Sequence, residues 1–268
     1  MTQIKDEWND GDSYEYFMGR WSSLMAIKFL RWLDIPSHKN WLDIGCGTGA
    51  LSQAIENYES PSSLSGIDTS IGYIEKAKQR VSMNRDFKVG NVDDLPFDDQ
   101  RFDVVVSGLA LNFFPDIENA LLEMKRVTRP GGVIAAYVWD YAEKMEFLRY
   151  FWDASCQIDS SSKNLDEGKR FPICNSENLS KELRKVGLVE VEASFLEIET
   201  VFKDFDDYWN PFFGGQGPAP GFLQSLNKNS QDKLKDKIRE RINFEPDGSI
   251  RLIGRAIVGK GKTTQNNV

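Results

Sequence analysis

The order of apolar and polar positions divides the chain into helical and extended stretches. Tyr14, Phe17, Met18, Trp21, Leu24, Met25, Ile27 and Leu30 form a broad apolar stripe and predict an N-terminal helix that Pro36 ends. Trp41, Leu42 and Ile44 predict the end of a buried strand. From Ala50 the apolar positions Leu51, Ala54, Ile55 and Tyr58 fall at helical spacing. Further strands are predicted at 64–67, 86–89, 102–106 and 133–138, with helices at 71–83 and 117–127 between them. Beyond Trp139 the pattern loosens. Residues 140–158 read as an aromatic-rich helix, 160–170 as a polar mobile loop, and 176–186 as a helix stopped by Gly187. Residues 188–202 alternate as a sixth strand, 231–242 read as a charged helix, 249–258 as the last strand, and the tail after Lys260 as disordered. Strands alternating with helices predict an α/β protein built on a doubly wound, mostly parallel sheet.

The connection after the first strand is the most informative stretch, WLDIGCGTGA at 41–50. A strand, a glycine turn and a helix make the first half of a nucleotide-binding unit. Glycines suit it because a side chain would obstruct the ligand and some positions need positive φ. The N–H groups at the helix start favour an anionic or hydroxyl-rich ligand group. The spacing is G-x-G-x-G, not the dinucleotide G-x-G-x-x-G, and Asp43 stands two residues before the first glycine. That charge suits a ligand carrying a cation better than one carrying phosphates. Asp68 closes the second strand 23 residues after Gly45, near the offset of roughly 20 expected for a ribose-binding carboxylate. Its other reading is a helix N-cap, a role open also to Thr69 and Ser70.

Composition narrows the partners. A formal charge of −8 and a pI near 4.9, with no cluster of lysine or arginine, disfavour nucleic acid and anionic membrane surfaces. No apolar run reaches the roughly 20 residues that span a bilayer, and the polar N-terminus does not read as a signal peptide. Cys46, Cys156 and Cys174 are widely spaced and odd in number, which predicts neither a disulfide framework nor a zinc site and agrees with a reducing cytoplasm. No metal site is expected. His38, the single histidine, lies in a polar turn and reads as a surface residue.

Three stretches carry a family resemblance. Asp43–Gly49 matches acidic-x-G-x-G-x-G. Gly90-Asn91-Val92-Asp93-Asp94-Leu95-Pro96-Phe97 is similar to G-D-A-x-x-L-P-F, with Asn91 where an acid is usual. Leu121 through Gly132 matches L-x-x-x-x-R-V-x-R-P-G-G, whose end reads as a tight turn. In these the chain resembles the class I S-adenosylmethionine-dependent methyltransferases that act on small molecules. The resemblance implies a seven-stranded Rossmann-like sheet with the last strand inserted antiparallel, and S-adenosylmethionine as cofactor. It implies cofactor contacts from Tyr14 and Arg20 on an N-terminal covering helix, from Asp43, Gly45, Cys46, Gly47 and Gly49 in the turn, and from Asp68 and Thr69 at the ribose. Asn91, Val92 and Asp93 would meet adenine, with the choice between Asn91 and Asp93 open because either side chain can accept from an amine. Ser107 and Leu109 would lie near the sulfonium.

The chain is expected to be one structural domain. Residues 1–40 supply lid helices, 41–140 the cofactor-binding core, 141–187 an insertion, and 188–268 the final strands with a second insertion at 203–245. The two insertions are expected to form a lid, with the Phe-Phe-Gly-Gly run at 212–215 as its hinge. Trp139, Tyr141, Trp209 and Phe212 are the candidates for contact with a small-molecule methyl acceptor, against a plainer reading as local core. No histidine is placed as a base, so Asp140, Tyr141 and Asn112 are the polar candidates near the chemistry. Two other readings stay open: another enzyme on the same sheet, such as a nicotinamide-dependent oxidoreductase or an aminopropyl transferase, and a non-catalytic module that senses the cofactor.

Overall fold

A computed structural model describes residues 15–82, 85–214 and 217–265. Seven strands form one sheet: β1 (Asn40–Ile44), β2 (Ser63–Asp68), β3 (Asp86–Val89), β4 (Phe102–Gly108), β5 (Thr128–Trp139), β6 (Val189–Phe202) and β7 (Ile250–Lys262). Their order is β3-β2-β1-β4-β5-β7-β6. Strands β1 to β5 pair in parallel. Gly131 N–H donates to Thr263 O at 3.2 Å and Asp140 N–H to Arg255 O at 2.9 Å, so β7 descends as β5 ascends. The sheet is therefore the mixed, doubly wound one that the motifs implied, with an antiparallel last strand. By its contacts the chain divides into two compact units.

The first unit comprises Ser22–Val138, Ile173–Leu196 and the stretch from Ala256 on. Its central strands are buried on both faces, which is why they read as continuous apolar runs: Trp41, Leu42, Val105, Val106, Ile134 and Ala135 are fully buried. Helix α1 (Arg20–Leu33) follows a short π-helical turn, Glu15–Gly19. Helices α2 (Ala50–Glu59), α3 (Ile71–Arg80) and α4 (Ile117–Val127) alternate with the strands. Each start has a local cause. Ser70 Oγ accepts from Tyr73 N–H to cap α3, and Asp116 caps α4 through Asn119 N–H. The Pro130-Gly131-Gly132 segment departs from expectation. It is not a turn before the fifth strand but part of β5, in an irregularity where Phe102 faces Thr128 while Val104 already faces Val133.

The second unit comprises the stretch ending at Trp21 together with Trp139–Pro172 and Glu197–Arg255. It holds α5 (Glu146–Ile158), α6 (Glu167–Arg170), and, after α7 (Ser176–Lys185) in the first unit, α8 (Phe205–Trp209), α9 (Pro211–Gly214), α10 (Pro218–Ser225) and α11 (Lys228–Arg241). Its core is aromatic. Phe151 stacks on Phe212 with ring centroids 4.5 Å apart, and Phe147 lies 4.7 Å from the same ring. Tyr208 O–H donates to Phe147 O at 2.9 Å. Each such ring pair adds about 0.5–1.5 kcal/mol to the area it buries.

Residues 160–170 are not a loose loop. Ser160–Asn164 forms a 3₁₀ turn, Asp166 accepts two bonds from the Arg149 guanidinium at 2.6 and 3.1 Å, and Glu167 is buried under the Trp152 indole N–H. The end of the chain also differs from expectation. β7 continues to Lys262, and Thr263 Oγ1 donates to Arg129 O at 2.5 Å. His38 is exposed, as the polar turn around it predicted.

Candidate functional site

Four neighbouring parallel strands deliver their carboxyl ends to one edge of the sheet: Ile44 of β1, Asp68 of β2, Val89 of β3 and Gly108 of β4. Such an edge, where the strand order reverses at β1 and β4, is where open α/β sheets bind ligands.

The turn after β1 holds Gly45, Gly47 and Gly49 at φ +66°, +53° and +88°, a region costly for any residue with a Cβ. The three differ in their surroundings. A Cβ on Gly45 would lie 2.5 Å from Ala110 Cβ, and one on Gly49 3.0 Å from the Ala77 backbone, so close packing shuts both positions. Among the described residues, a Cβ on Gly47 would meet nothing nearer than the Tyr73 ring at 4.0 Å, so no described side chain packs over this glycine. The turn's own N–H groups have partners within the chain. Gly45 and Cys46 donate to Ile67 O, Gly49 to Cys46 O, and Gly47 to Asp68 Oδ2 at 2.9 Å. These turn donors are thus committed within the chain, whereas the expectation of an anionic or hydroxyl-rich ligand group concerned the N–H groups at the start of α2.

Two carboxylates face this turn instead. Asp43 is buried, with one oxygen accepting from Ser52 O–H at 2.6 Å and the other, Oδ1, without any partner. Burial pushes its carboxyl up to about 7; the Ser52 hydroxyl opposes the shift and the charge on Asp68 adds to it. Asp68 is also raised by burial, but N–H groups of Ser70, Gly47 and Thr69 counter that. With Ser70 capping α3, Asp68 is not the cap and its second oxygen is fixed by Ser70 N–H at 2.9 Å. Thr69 is exposed. Cys46 is buried between the acids, and desolvation holds its thiol well above the usual range, hence neutral.

The neighbouring segments supply further polar atoms. Asn91 is exposed, and its side chain is tied to Asp93, donating to Oδ2 at 3.0 Å and accepting from the Asp93 N–H at 3.3 Å. Asp93 Oδ1 is buried, with no hydrogen-bond partner among the described residues. Val92 is buried beside it. This segment is held from behind: Asn119 Nδ2 donates to Asp93 O, and Arg126 donates to the carbonyls of Leu95 and Phe97 while pairing with Glu123. After β4, Leu109 takes φ +60° with its N–H on Tyr137 O at 2.8 Å, a strained conformation for a branched residue. Ser107 Oγ and both polar atoms of Asn112 are buried without partners. Buried polar groups are rarely left so. The open face of Gly47, the free oxygens of Asp43 and Asp93, and the unpartnered Ser107 and Asn112 all fit a polar, cation-bearing nucleoside at this edge.

Other expected residues belong to the second unit. Arg20 gives its guanidinium to Asp207 at 3.1 and 3.2 Å and lies over the Trp21 and Phe202 rings. Asp140 has both oxygens engaged, one by Arg255 at 2.5 Å and the other by Glu143 N–H at 3.1 Å. Trp139, Tyr141, Trp209 and Phe212 are all buried, the last two inside the aromatic core, as the plainer reading of local core has it. Tyr14 lies outside the described residues. Ser52, Asn119 and Arg126 were not expected. Their only sequence signals are a hydroxyl one turn into α2 and polar positions on an amphipathic helix. Among the described residues no group of side chains could hold a metal ion, and no helix is long and apolar enough to cross a membrane.

Comparison with known proteins agrees with this geometry. Residues 42–136 match the model of a methyltransferase domain. Over 96 residues the chain is 38% identical to demethylmenaquinone methyltransferase of Staphylococcus aureus, a match spanning 35% of this chain and 40% of that relative. The fold is similar to that of phosphoethanolamine N-methyltransferase 2 of Haemonchus contortus, solved with S-adenosylhomocysteine (TM-score 0.59, 16% identity, 95% of this chain and 57% of that one). It is also similar to that of the [4+2]-cyclase SpnF (TM-score 0.53, 16% identity, 99% and 88%).

Proposed function

We propose, from the match of residues 42–136 to a methyltransferase domain, that the protein binds S-adenosylmethionine and passes its methyl group to a small-molecule acceptor. The observation that carries this reading is the pair of acids at the glycine turn. Asp68, fixed by Gly47 and Ser70, and Asp43, with one buried oxygen unused, make an acidic recess beside Gly47. A nucleoside bearing a positive charge suits that recess; a pyrophosphate does not. A fold shared with a cyclase does not choose the reaction, so the reading rests on the site.

Asp68 would accept from the ribose hydroxyls, Asp93 from the adenine amine, and Leu109 would pack on the nucleoside. Thr69, Val92, Cys46 and Gly49 would shape the recess around it, and Asn112 and Ser107 would offer polar atoms near the reacting end. The bound cofactor supplies an electrophilic methyl on a cationic sulfur. The protein's part is to hold donor and acceptor in line and exclude water. Asp140 is committed to Arg255, and no histidine is placed by motif to serve as a base. That favours an acceptor that loses its proton readily or an amine neutral on binding. The acceptor is chosen by residues outside the 42–136 match, and a reducing cytoplasm suits the three free cysteines.

Titration calorimetry with S-adenosylmethionine tests the reading. Asp68→Ala removes a charged acceptor of about 1.5–3 kcal/mol, so affinity should fall about 10- to 100-fold. Absence of binding, or equal binding by Asp68→Ala, would end it. Incubation of cell extract with labelled cofactor, read by mass spectrometry, identifies the acceptor. Binding without any transfer would favour the non-catalytic sensor.

A further inference from the structure

The buried acid two residues before the glycine turn has an unusual position. Asp43 is buried in β1 beside the glycine turn. Among the described residues, the charged and titratable groups facing it are Asp68 from β2 and Cys46 from the turn itself. Helix α2 contributes only Ser52, and β4 presents Val106 opposite it in register. The Arg80 guanidinium donates to Thr48 Oγ1 at 3.4 Å. An ionised carboxylate so enclosed, with one oxygen unpaired and a second acid beside it, is poorly stabilised, whereas its neutral form is not.

We propose that Asp43 is a proton-exchanging counter-ion: it holds a proton in the free protein and releases it to solvent when a cationic ligand enters the site. This rests on the reading that the ligand is S-adenosylmethionine. Asp68 does not take this part. Its charge is supported by N–H groups from both Gly47 and Ser70. The Asp43 carboxyl, pushed up to about 7 by burial, then couples affinity to pH. Protons and the cation compete, so binding weakens as pH falls. For a midpoint of 7 the free protein is about 90% protonated at pH 6 and about 50% at pH 7, so the apparent Kd should rise about fivefold between pH 7 and pH 6. The site would thereby favour a cationic ligand over a neutral one less strongly in acid than at pH 8.

The test is calorimetry of S-adenosylmethionine binding in buffers of different ionisation enthalpy, which counts protons exchanged independently of any turnover. About 0.9 proton should leave per ligand at pH 6, about 0.5 at pH 7 and about 0.1 at pH 8. Asp43→Asn, which cannot ionise, should abolish the release and flatten the pH profile. Ser52→Ala keeps the acid but removes the hydroxyl that favours its charged form, so the midpoint of proton release should move to higher pH. It serves where Asp43→Asn does not fold, and it separates Asp43 from Asp68. Tight binding with no proton release at pH 6, or a midpoint unmoved in Ser52→Ala, overturns the proposal while leaving the cofactor reading intact. No binding at any pH overturns both.

Discussion

The three glycines of the turn should fail in different ways when given a methyl group. Gly45→Ala places its Cβ 2.5 Å from that of Ala110, with the Phe114 ring at 3.5 Å, at φ +66°. The left-handed backbone costs about 1–2 kcal/mol, and forcing a methyl into packed surroundings about 1–3 kcal/mol more, so a stability loss of about 2–5 kcal/mol is expected. Gly47→Ala carries the first penalty without the second, since its nearest neighbour is 4.0 Å away at φ +53°. It should lose only about 1–2 kcal/mol and stay folded. Its methyl group, however, fills the open face of the turn, so affinity for S-adenosylmethionine should drop more than tenfold while Gly45→Ala is affected chiefly through folding. Urea unfolding followed by intrinsic tryptophan fluorescence gives the first quantity and calorimetry the second. Equal destabilisation of the two variants, or undiminished binding by Gly47→Ala, would refute the division between packing and ligand access.

Other expectations concern the second unit. Burial raises the Glu167 carboxyl to about 7, above its usual value of 4.5. The neutral acid is thus the native form, and its stabilising effect is complete below about pH 4.5 and is lost as pH rises through 7. Glu167→Gln keeps an oxygen for the Trp152 indole N–H and should be more stable than the parent at pH 8 by up to about 3 kcal/mol, with the gap closing by pH 5. Denaturation at the two pH values checks it, and a constant gap would contradict it. Asp140→Asn should lose about 2 kcal/mol through its weakened bond to Arg255, a charged hydrogen bond, with cofactor affinity unchanged in the same calorimetric assay.

Much of the sheet and the turn was legible in the sequence because both depend on local signals. Strands buried on both faces announce themselves as apolar runs, and the alternating glycines mark a backbone few other residues adopt. Asp68 could be placed by its distance from Gly45. What stayed hidden depends on long-range pairing. The segment Pro130-Gly131-Gly132 reads as a turn, yet the last strand arrives from more than 120 positions away and Thr263 fastens it into the sheet. Residues 160–170 read as a polar loop because nothing in the sequence reveals that Arg149 and Trp152 will take up their two acids. That Trp209 would pack on Phe205 and Phe212 on Phe151 is likewise not written in their own segment. Ser52 escaped notice because its partner Asp43 lies on another element, nine positions back.

The wall of the glycine turn is borrowed from far along the chain. Trp41 pairs with Val104, and the methyl and ring that close over Gly45 belong to Ala110 and Phe114. A nascent chain emerging from the ribosome therefore has the first strand and its turn in hand long before the residues that shape them. Loop closure over some sixty positions is slow relative to forming the helices between. On contact separation alone the surroundings of the glycine turn should therefore close later than the helices between, and chaperone capture or misassembly would act on a chain that has its helices but not yet this turn's packing.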